Sequence, residues 1–526
     1  MNESHINTVS PQGEWQPSAN PWLITASVML ATFMEVLDTT IVTVAVPHIA
    51  GSLSASNDQA TWVLTSYLVS NAIVLPASGW LAIYFGRKRF FMFCIIIFTL
   101  SSIFSGAAFS LGMLVIARII QGAGGGALQP ISQAILLESF PPEKRGMAMA
   151  AFALGVVVAP IAGPTIGGWL TDNYSWRWAF YINVPVGILA VLMISSFVED
   201  PSYIRNAKPG RIDWMGFGLM AISLGALQVI LDKGQRDDWF AAAWIRWFAT
   251  TSSVSMVLFI VWELRVREPI VNLKVFLDRN FAVGTLLITA VGLALYSAIT
   301  LIPLFLQTLM GYTALESGLA VSTRGAGAMI AMPFVGFLTG KVDFRKLIAM
   351  GFFILAVSLW MISDLTLEVS VWDIALPSIL TGVGLSMMFV PLATVAMGTL
   401  AQKDIGNASG VFNLMRNIGG SAGISFLITF LARHSQTNQA MLASRLNPWD
   451  LAYQYRLQDL RNYFETHLGP GEAYRQAQGF LYDSLRRQSQ LLAYVESFQM
   501  LVVISLVCIA LAFLLKRVKA RRRLPH

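Results

Sequence analysis

Gly155 to Trp169 reads GVVVAPIAGPTIGGW, a run of small residues and prolines inside a long apolar segment. Gly155, Ala159, Gly163 and Gly167 recur at every fourth position. On a helix that spacing makes a ridge free of large side chains, which lets another backbone approach closely. Pro160 and Pro164 each remove a backbone donor beside the ridge, so a bend is expected there, and Gly168 widens the small face. A soluble core helix gains little from such a composition. Within a membrane, neighbouring helices tolerate it, and moving parts use it. The spacing alone leaves two readings open: a tight helix contact, or a contact that must also move.

Composition decides the solvent. The chain has 526 residues, of which 55% are hydrophobic and 12% charged, with mean hydropathy +0.62. Ordinary globular domains carry about 25% charged residues, so this is an all-α integral membrane protein. Cys94 and Cys508 both lie in apolar runs, which excludes a disulfide scaffold and a cysteine-ligated metal site. The first twenty residues are polar and lack the apolar core of a cleavable signal.

Fourteen apolar segments are long enough to cross a bilayer as helices. They lie near 22–46, 61–83, 89–109, 111–137, 147–170, 177–198, 212–231, 243–263, 280–310, 317–340, 346–364, 372–399, 407–432 and 498–515. Loop charge tests this count with residues that hydropathy ignores. With the amino terminus inside, the inner loops and tail hold about 22 Lys and Arg against about 4 on the short outer loops. Removing one span inverts every later loop and destroys the bias. Both termini are therefore expected in the cytoplasm, and the net charge of +7 reflects topology, not a nucleic-acid surface.

Between 432 and 497 the outer side carries a polar segment of about 65 residues, too long to obey the charge rule. Apolar residues recur at helical spacing over Leu446–Phe464 and Ala473–Tyr494, with Gly469-Pro470-Gly471 between them. Two amphipathic helices are expected, either a cap folded on the membrane domain or a docking surface. An internal repeat is also present. Gly79-Trp-Leu-Ala-Ile-Tyr-Phe-Gly86-Arg87-Lys88 closes the second span, and Gly336-Phe-Leu-Thr-Gly-Lys closes the tenth in the same way. Many secondary transporters are built from such repeats, with the binding site between them. If each half has six spans, those near 212–263 are an insertion.

Charges at membrane depth cost roughly 2.5–3.5 kcal/mol on insertion scales, so each needs a reason. Glu35 and Asp38 stand three apart in the first span and share a helix face. A desolvated carboxylate pair suits proton carriage; the bland alternative is a structural partner for a buried cation. Arg118 in the fourth span stays charged and must find an anion, with Asp38 or an anionic substrate as candidates. Gln121 follows it. Arg324 and Arg416 are the other intramembrane cations, and Arg416 lies beside Asn413 among small and amide residues fit to line a cavity. For both arginines a structural role and a ligand contact stay open. There is no GxxxxGK[ST] sequence, so ATP is not the indicated energy source, and neither a nucleophile elbow nor a metal-ligand cluster points to an enzyme.

Several of these stretches resemble the fourteen-span drug:proton antiporters of the EmrB/QacA type within the major facilitator superfamily. Leu37-Asp-Thr-Thr-Ile-Val-Thr-Val-Ala-Val-Pro is similar to the first-span signature, with Thr43 at an asparagine position. Gly79 to Arg89 is similar to the loop motif after the second span, with Ile83 in the usual aspartate position. Leu114 to Gly122 resembles the fourth-span arginine motif, and Gly155 to Gly168 the motif that marks antiporters. Trp176 to Pro185 and Pro303 to Gln307 resemble further segments of this branch.

The resemblance implies two six-helix bundles plus two inserted central helices. Residues 1–21 would be a cytoplasmic tail, 22–198 and 279–515 the bundles, 199–278 the insertion and 516–526 a basic tail. It implies export of lipophilic or amphipathic compounds across a bacterial inner membrane. The proton gradient would be the energy source, without a cofactor, and Asp38, Arg118 and Glu35 would couple it. It also implies an EmrA-like periplasmic adaptor and an outer-membrane channel as partners. A carrier for one metabolite and a non-transporting scaffold are the competing readings. The 155–168 ridge is expected between the two bundles, as part of the seal against proton leak.

Overall fold

A computed structural model of the protein describes residues 17–141, 144–205, 213–338, 341–364, 366–368, 370–447 and 449–516. Most of the proposed tails, together with the inner-loop cations Lys208 and Arg211 that count toward the charge bias, lies outside the described residues. Fourteen helices are long and apolar enough to span a membrane. They are Pro21–Ser52, Trp62–Phe85, Arg87–Gly106, Leu111–Ser139, Arg145–Asn173, Trp178–Phe197, Trp214–Lys233, Ala243–Arg265, Arg279–Thr308, Glu316–Leu338, Phe344–Ser363, Trp372–Gly398, Asp404–Ser444 and Pro470–Ala512. They are called the first to fourteenth spans below.

The first six and last six spans form two bundles of like design, and the sequence repeat shows why. At Gly79 in the second span an added Cβ would stand 2.5 Å from the backbone of Gly406 and Asn407 in the thirteenth. At Gly336 in the tenth it would stand 3.0 Å from Ala150 and 3.3 Å from Gly146 in the fifth. The second helix of each half thus meets the fifth helix of the other, through a glycine in both cases. Contact between the halves continues through Leu128–Ser139, the end of the fourth span nearer the basic loops. The other end of that span, Leu111–Gly125, packs against the second and third spans of its own half. The seal between halves therefore lies toward the basic-loop face.

The inserted pair sits at the edge of this contact. The seventh span packs on the second and touches the thirteenth, where Gln228 Nε2 donates to Ser421 Oγ at 3.0 Å. The eighth packs on the seventh and buries few residues. Arg246 is accommodated at its mouth, donating to the Phe240 and Ala241 carbonyls at 2.8 and 3.0 Å.

Two expectations are corrected. The fifth span is one helix, Arg145–Asn173, that carries through Pro160 and Pro164, and its ridge does not face the other bundle. An added Cβ at Gly163 would come within 1.9 Å of Thr40 Oγ1 and 3.3 Å of the Ile41 nitrogen. One at Gly167 would meet the Ile41 backbone at 3.1 Å, and one at Gly155 the Met29 side chain at 2.1 Å. All three belong to the first span. Gly168 faces open space. Small residues license close approach but carry no address, and the nearest helix of the same bundle took it.

The outer segment differs too. The thirteenth helix runs unbroken over 44 residues, Gln402–Arg445, and the fourteenth over 43, Pro470–Ala512. At about 1.5 Å per residue each measures roughly 65 Å, twice the hydrocarbon thickness. The second amphipathic stretch is therefore the start of the last span, not a separate helix. A single short helix, Leu451–Glu465, links the two and packs on the fourteenth. His434 Nδ1 and Glu496 Oε2, 2.6 Å apart, tie the two extensions together.

Candidate functional site

The first span brings its two carboxylates to one face, as spacing requires, yet they enter different networks. Asp38 is fully buried. Arg118 Nη1 donates to its Oδ2 at 2.6 Å, while Gln121 Nε2 and Asn183 Nδ2 donate to Oδ1 at 3.0 and 2.7 Å. Both amides also donate to Ser102 Oγ, at 2.8 and 2.9 Å. Arg118 Nε reaches the Val63 carbonyl at 3.1 Å, and the guanidinium lies 4.2 Å from the Tyr67 ring centroid. The pair and the groups that hold it thus come from five spans of one bundle. Removing either charge leaves the other buried without its ion-pair partner.

Glu35, one turn toward the basic-loop face, has no ion-pair partner among the described residues. Its Oε1 accepts from Tyr67 Oη at 3.2 Å and Asn71 Nδ2 at 3.3 Å, and its Oε2 from Gln129 Nε2 at 2.6 Å. The other end of Gln129 faces the second bundle: its Oε1 accepts from Arg416 Nη2. A single amide therefore links a carboxylate of one half to an arginine of the other. One turn further, Gln133 Oε1 accepts from Asn413 Nδ2 at 2.7 Å and Ser409 Oγ at 2.8 Å. Arg416 and Asn413, for which a cavity lining and a structural role were both open, take part in this polar seam between the halves. Arg324 joins neither network.

Ile83 in the loop motif carries no charge, and the buried acid beside Arg87 is Glu138, at the end of the fourth span. Arg87 Nη1 and Nη2 donate to Glu138 Oε2 and Oε1 at 2.8 and 3.1 Å, a bidentate pair with both side chains buried. Tyr203 Oη donates to Glu138 Oε1 at 2.8 Å and accepts from Arg87 at 2.6 Å. Burial pushes the Tyr203 phenol up, so it remains a donor. Lys88 N donates to Asp200 Oδ1 at 2.8 Å, and Gly86, at φ +84°, makes the turn that only glycine adopts without strain.

Two six-helix bundles related by a repeat, a buried first-span acid on a fourth-span arginine, and a basic loop after the second span now stand together. Residues 28–424 match the family model described as Major Facilitator Superfamily. The chain belongs to the Major Facilitator Superfamily. Within it, the chain is 36% identical over 495 residues to the Multidrug export protein EmrB of Escherichia coli K12, covering 94% of this chain and 95% of that one. It is 39% identical over 429 residues to the EmrB of Haemophilus influenzae, covering 81% and 84%. The Fatty acid resistance protein FarB of Neisseria gonorrhoeae is 38% identical over 427 residues, with 81% and 84% covered. The solved structure of the human organic anion transporter MFSD10 (TETRAN) superposes with a TM-score of 0.60 at 13% identity, over 94% of this chain and all of that one. That likeness concerns the fold. With its fourteen spans and these relatives, this superfamily member is a multi-pass bacterial membrane protein of a transporter family.

Sequence reasoning found Asp38 and Arg118 because charge is conspicuous in an apolar span. It missed Tyr67, Asn71, Ser102, Gln129, Gln133 and Asn183, which are uncharged. Asn183 alone had a signal, since it falls inside the Trp176–Pro185 stretch. It also missed Glu138, which stands at a span end where acids are ordinary.

Proposed function

We propose that this protein is a proton-coupled multidrug exporter, moving lipophilic or amphipathic toxic compounds out of the cell by alternating access. The basic-loop face is then cytoplasmic, with both termini on that side of the inner membrane. One observation carries the reading: a titratable acid, Asp38, is fully buried against Arg118 in one bundle, on the outer side of the seal between bundles.

A proton arriving from outside at Asp38 removes the charge that holds Arg118. The freed guanidinium, with Gln121 and Asn183, must then rearrange, because a lone buried arginine is costly. Glu35 lies next along the face, and its link through Gln129 to Arg416 joins its charge state to contact between the bundles. Coupling requires only that the proton bind one conformation more tightly than the other. Gly163 and Gly167 let the fifth span lie directly on the helix that carries both acids, so their place is to transmit its movement. The Arg87–Glu138–Tyr203 cluster with Lys88 and Asp200 locks the cytoplasmic ends while the seal is closed. Substrate contacts are chiefly apolar, as promiscuous sites require. The long outer helices suit docking of a periplasmic adaptor that leads to an outer-membrane channel.

Proteoliposomes test this directly. The wild-type protein should exchange protons for several unrelated lipophilic compounds, and Asp38→Asn should abolish the exchange. Undiminished proton-coupled efflux by that variant removes Asp38 from the mechanism. Resistance profiling in a strain without its own pumps identifies the compounds; protection against none of them, with saturable uptake of one polar solute, overturns the reading.

A further inference from the structure

Arg324, in the tenth span, is 1% exposed, and none of its three guanidinium nitrogens has a hydrogen-bond partner among the described residues. The other buried arginines differ. Arg87 has Glu138, Arg118 has Asp38, and Arg416 is held by Gln129 and Asn417. Arginine does not escape by losing its proton, and water solvates a charge without neutralising it. Arg324 therefore calls for an anion.

The C-terminal bundle has none to give. Its acids Glu316, Asp343, Asp364, Glu368, Asp373 and Asp404 stand at helix ends or in loops, and those from Asp450 to Glu496 belong to the polar extension beyond the thirteenth and fourteenth spans. Arg324 occupies the contact between the tenth and twelfth spans, where a Cβ on Gly382 would come 2.0 Å from its carbonyl oxygen. One turn from Gly382, Ser378 is also fully buried with an unpartnered hydroxyl. Ala320, Ala328 and Met332, on the same span as Arg324, are buried and apolar. A buried cation without an anion of its own, a spare hydroxyl on the facing span and apolar neighbours fit one kind of ligand: a small anionic head on a lipophilic body, gripped by the guanidinium fork.

We infer that Arg324 is the charge-recognition group of the C-terminal bundle, taking the anionic head of lipophilic acids, with Ser378 as a second donor. This rests on the exporter reading and names a substrate class within it.

The test uses the full chain in proteoliposomes, with decanesulfonate as a permanently charged lipophilic anion and tetraphenylphosphonium as a lipophilic cation. Proton exchange driven by each is measured, and their ratio is the readout. In Arg324→Gln the sulfonate-to-phosphonium ratio should fall about tenfold or more, the size of one lost charge-assisted contact. Arg324→Lys, which keeps the charge but not the fork, should lower it severalfold, and it serves alone if the glutamine variant does not fold. Ser378→Ala should lower it less. An equal fall in both rates, leaving the ratio unchanged, makes Arg324 structural and overturns the inference. So does a wild-type protein that exchanges the phosphonium but not the sulfonate. A wild-type protein that exchanges neither overturns the exporter reading along with it.

Discussion

The two bundles share a plan but treat buried charge in opposite ways. The N-terminal bundle carries its charges as closed sets: Arg118 with Asp38, and Arg87 with Glu138 and Tyr203. Its odd acid, Glu35, is satisfied by neutral donors. The C-terminal bundle carries two buried arginines and no acid at their depth. One half therefore holds the groups that can bind and release a proton, while the other presents only fixed positive charge. Division of labour follows from this. On the exporter reading proposed above, proton chemistry is assigned to the first bundle, and the second responds through the seam at Gln129 and Gln133, or through whatever anion it binds.

The largest test of that contrast is to strip the first bundle of its pair. Asp38→Asn should destabilise the protein by about 3–5 kcal/mol, because it leaves Arg118 charged and uncompensated. Asp38→Asn combined with Arg118→Gln should recover most of that loss in thermal unfolding, since no lone charge remains, yet should not recover proton-coupled transport. If the double variant is as unstable as the single one, the pair is held by its shape and not by its charge.

Next comes the Arg87–Glu138–Tyr203 cluster at the basic-loop face, the proposed latch. Glu138→Gln should cost about 3 kcal/mol, softened by Tyr203 and by water near the span's end. Glu138→Gln should also raise labelling of a cysteine placed at Ser409, which is buried in the seam. An unchanged labelling rate would separate the latch from the seal.

How much of this was legible beforehand depended on the kind of signal. Fourteen spans could be counted because hydropathy and loop charge are independent and agree. Asp38 and Arg118 were visible as charges where charge is expensive. The carboxamide that holds Glu35 was not, since Gln129 reads like any polar residue in a span and its partner lies 94 positions away. The helical extension past 432 was hidden for another reason. Hydropathy reports where the bilayer ends, and a helix need not end there.

The glycine ridge shows the same limit, and it sharpens the comparison between contacts within and between bundles. Gly163→Ala forces a methyl group onto Thr40 inside one bundle, so the clash has no cheap relief and should cost about 1–3 kcal/mol in unfolding. Gly79→Ala places its methyl group against backbone of the other bundle, and the halves can relieve it by separating. Gly79→Ala should therefore shift labelling at the Ser409 position with little change in unfolding. If the two substitutions behave alike, the ridge acts between bundles after all.

The smallest effect should come from the amide that joins the halves. Gln129 is the only residue described that bonds both Glu35 and Arg416. A double-mutant cycle between Glu35→Gln and Arg416→Gln measures whether the two charges feel each other, and the expected coupling is about 0.5–1.5 kcal/mol. Repeating the cycle on a Gln129→Leu background isolates the bridge, because leucine fills the space without passing on the hydrogen bonds. Coupling that survives in full must travel through the field between the charges. Coupling that vanishes places the communication between bundles in one side chain, and Gln129→Leu should then uncouple proton flow from substrate flow while Asp38 and Arg118 remain intact.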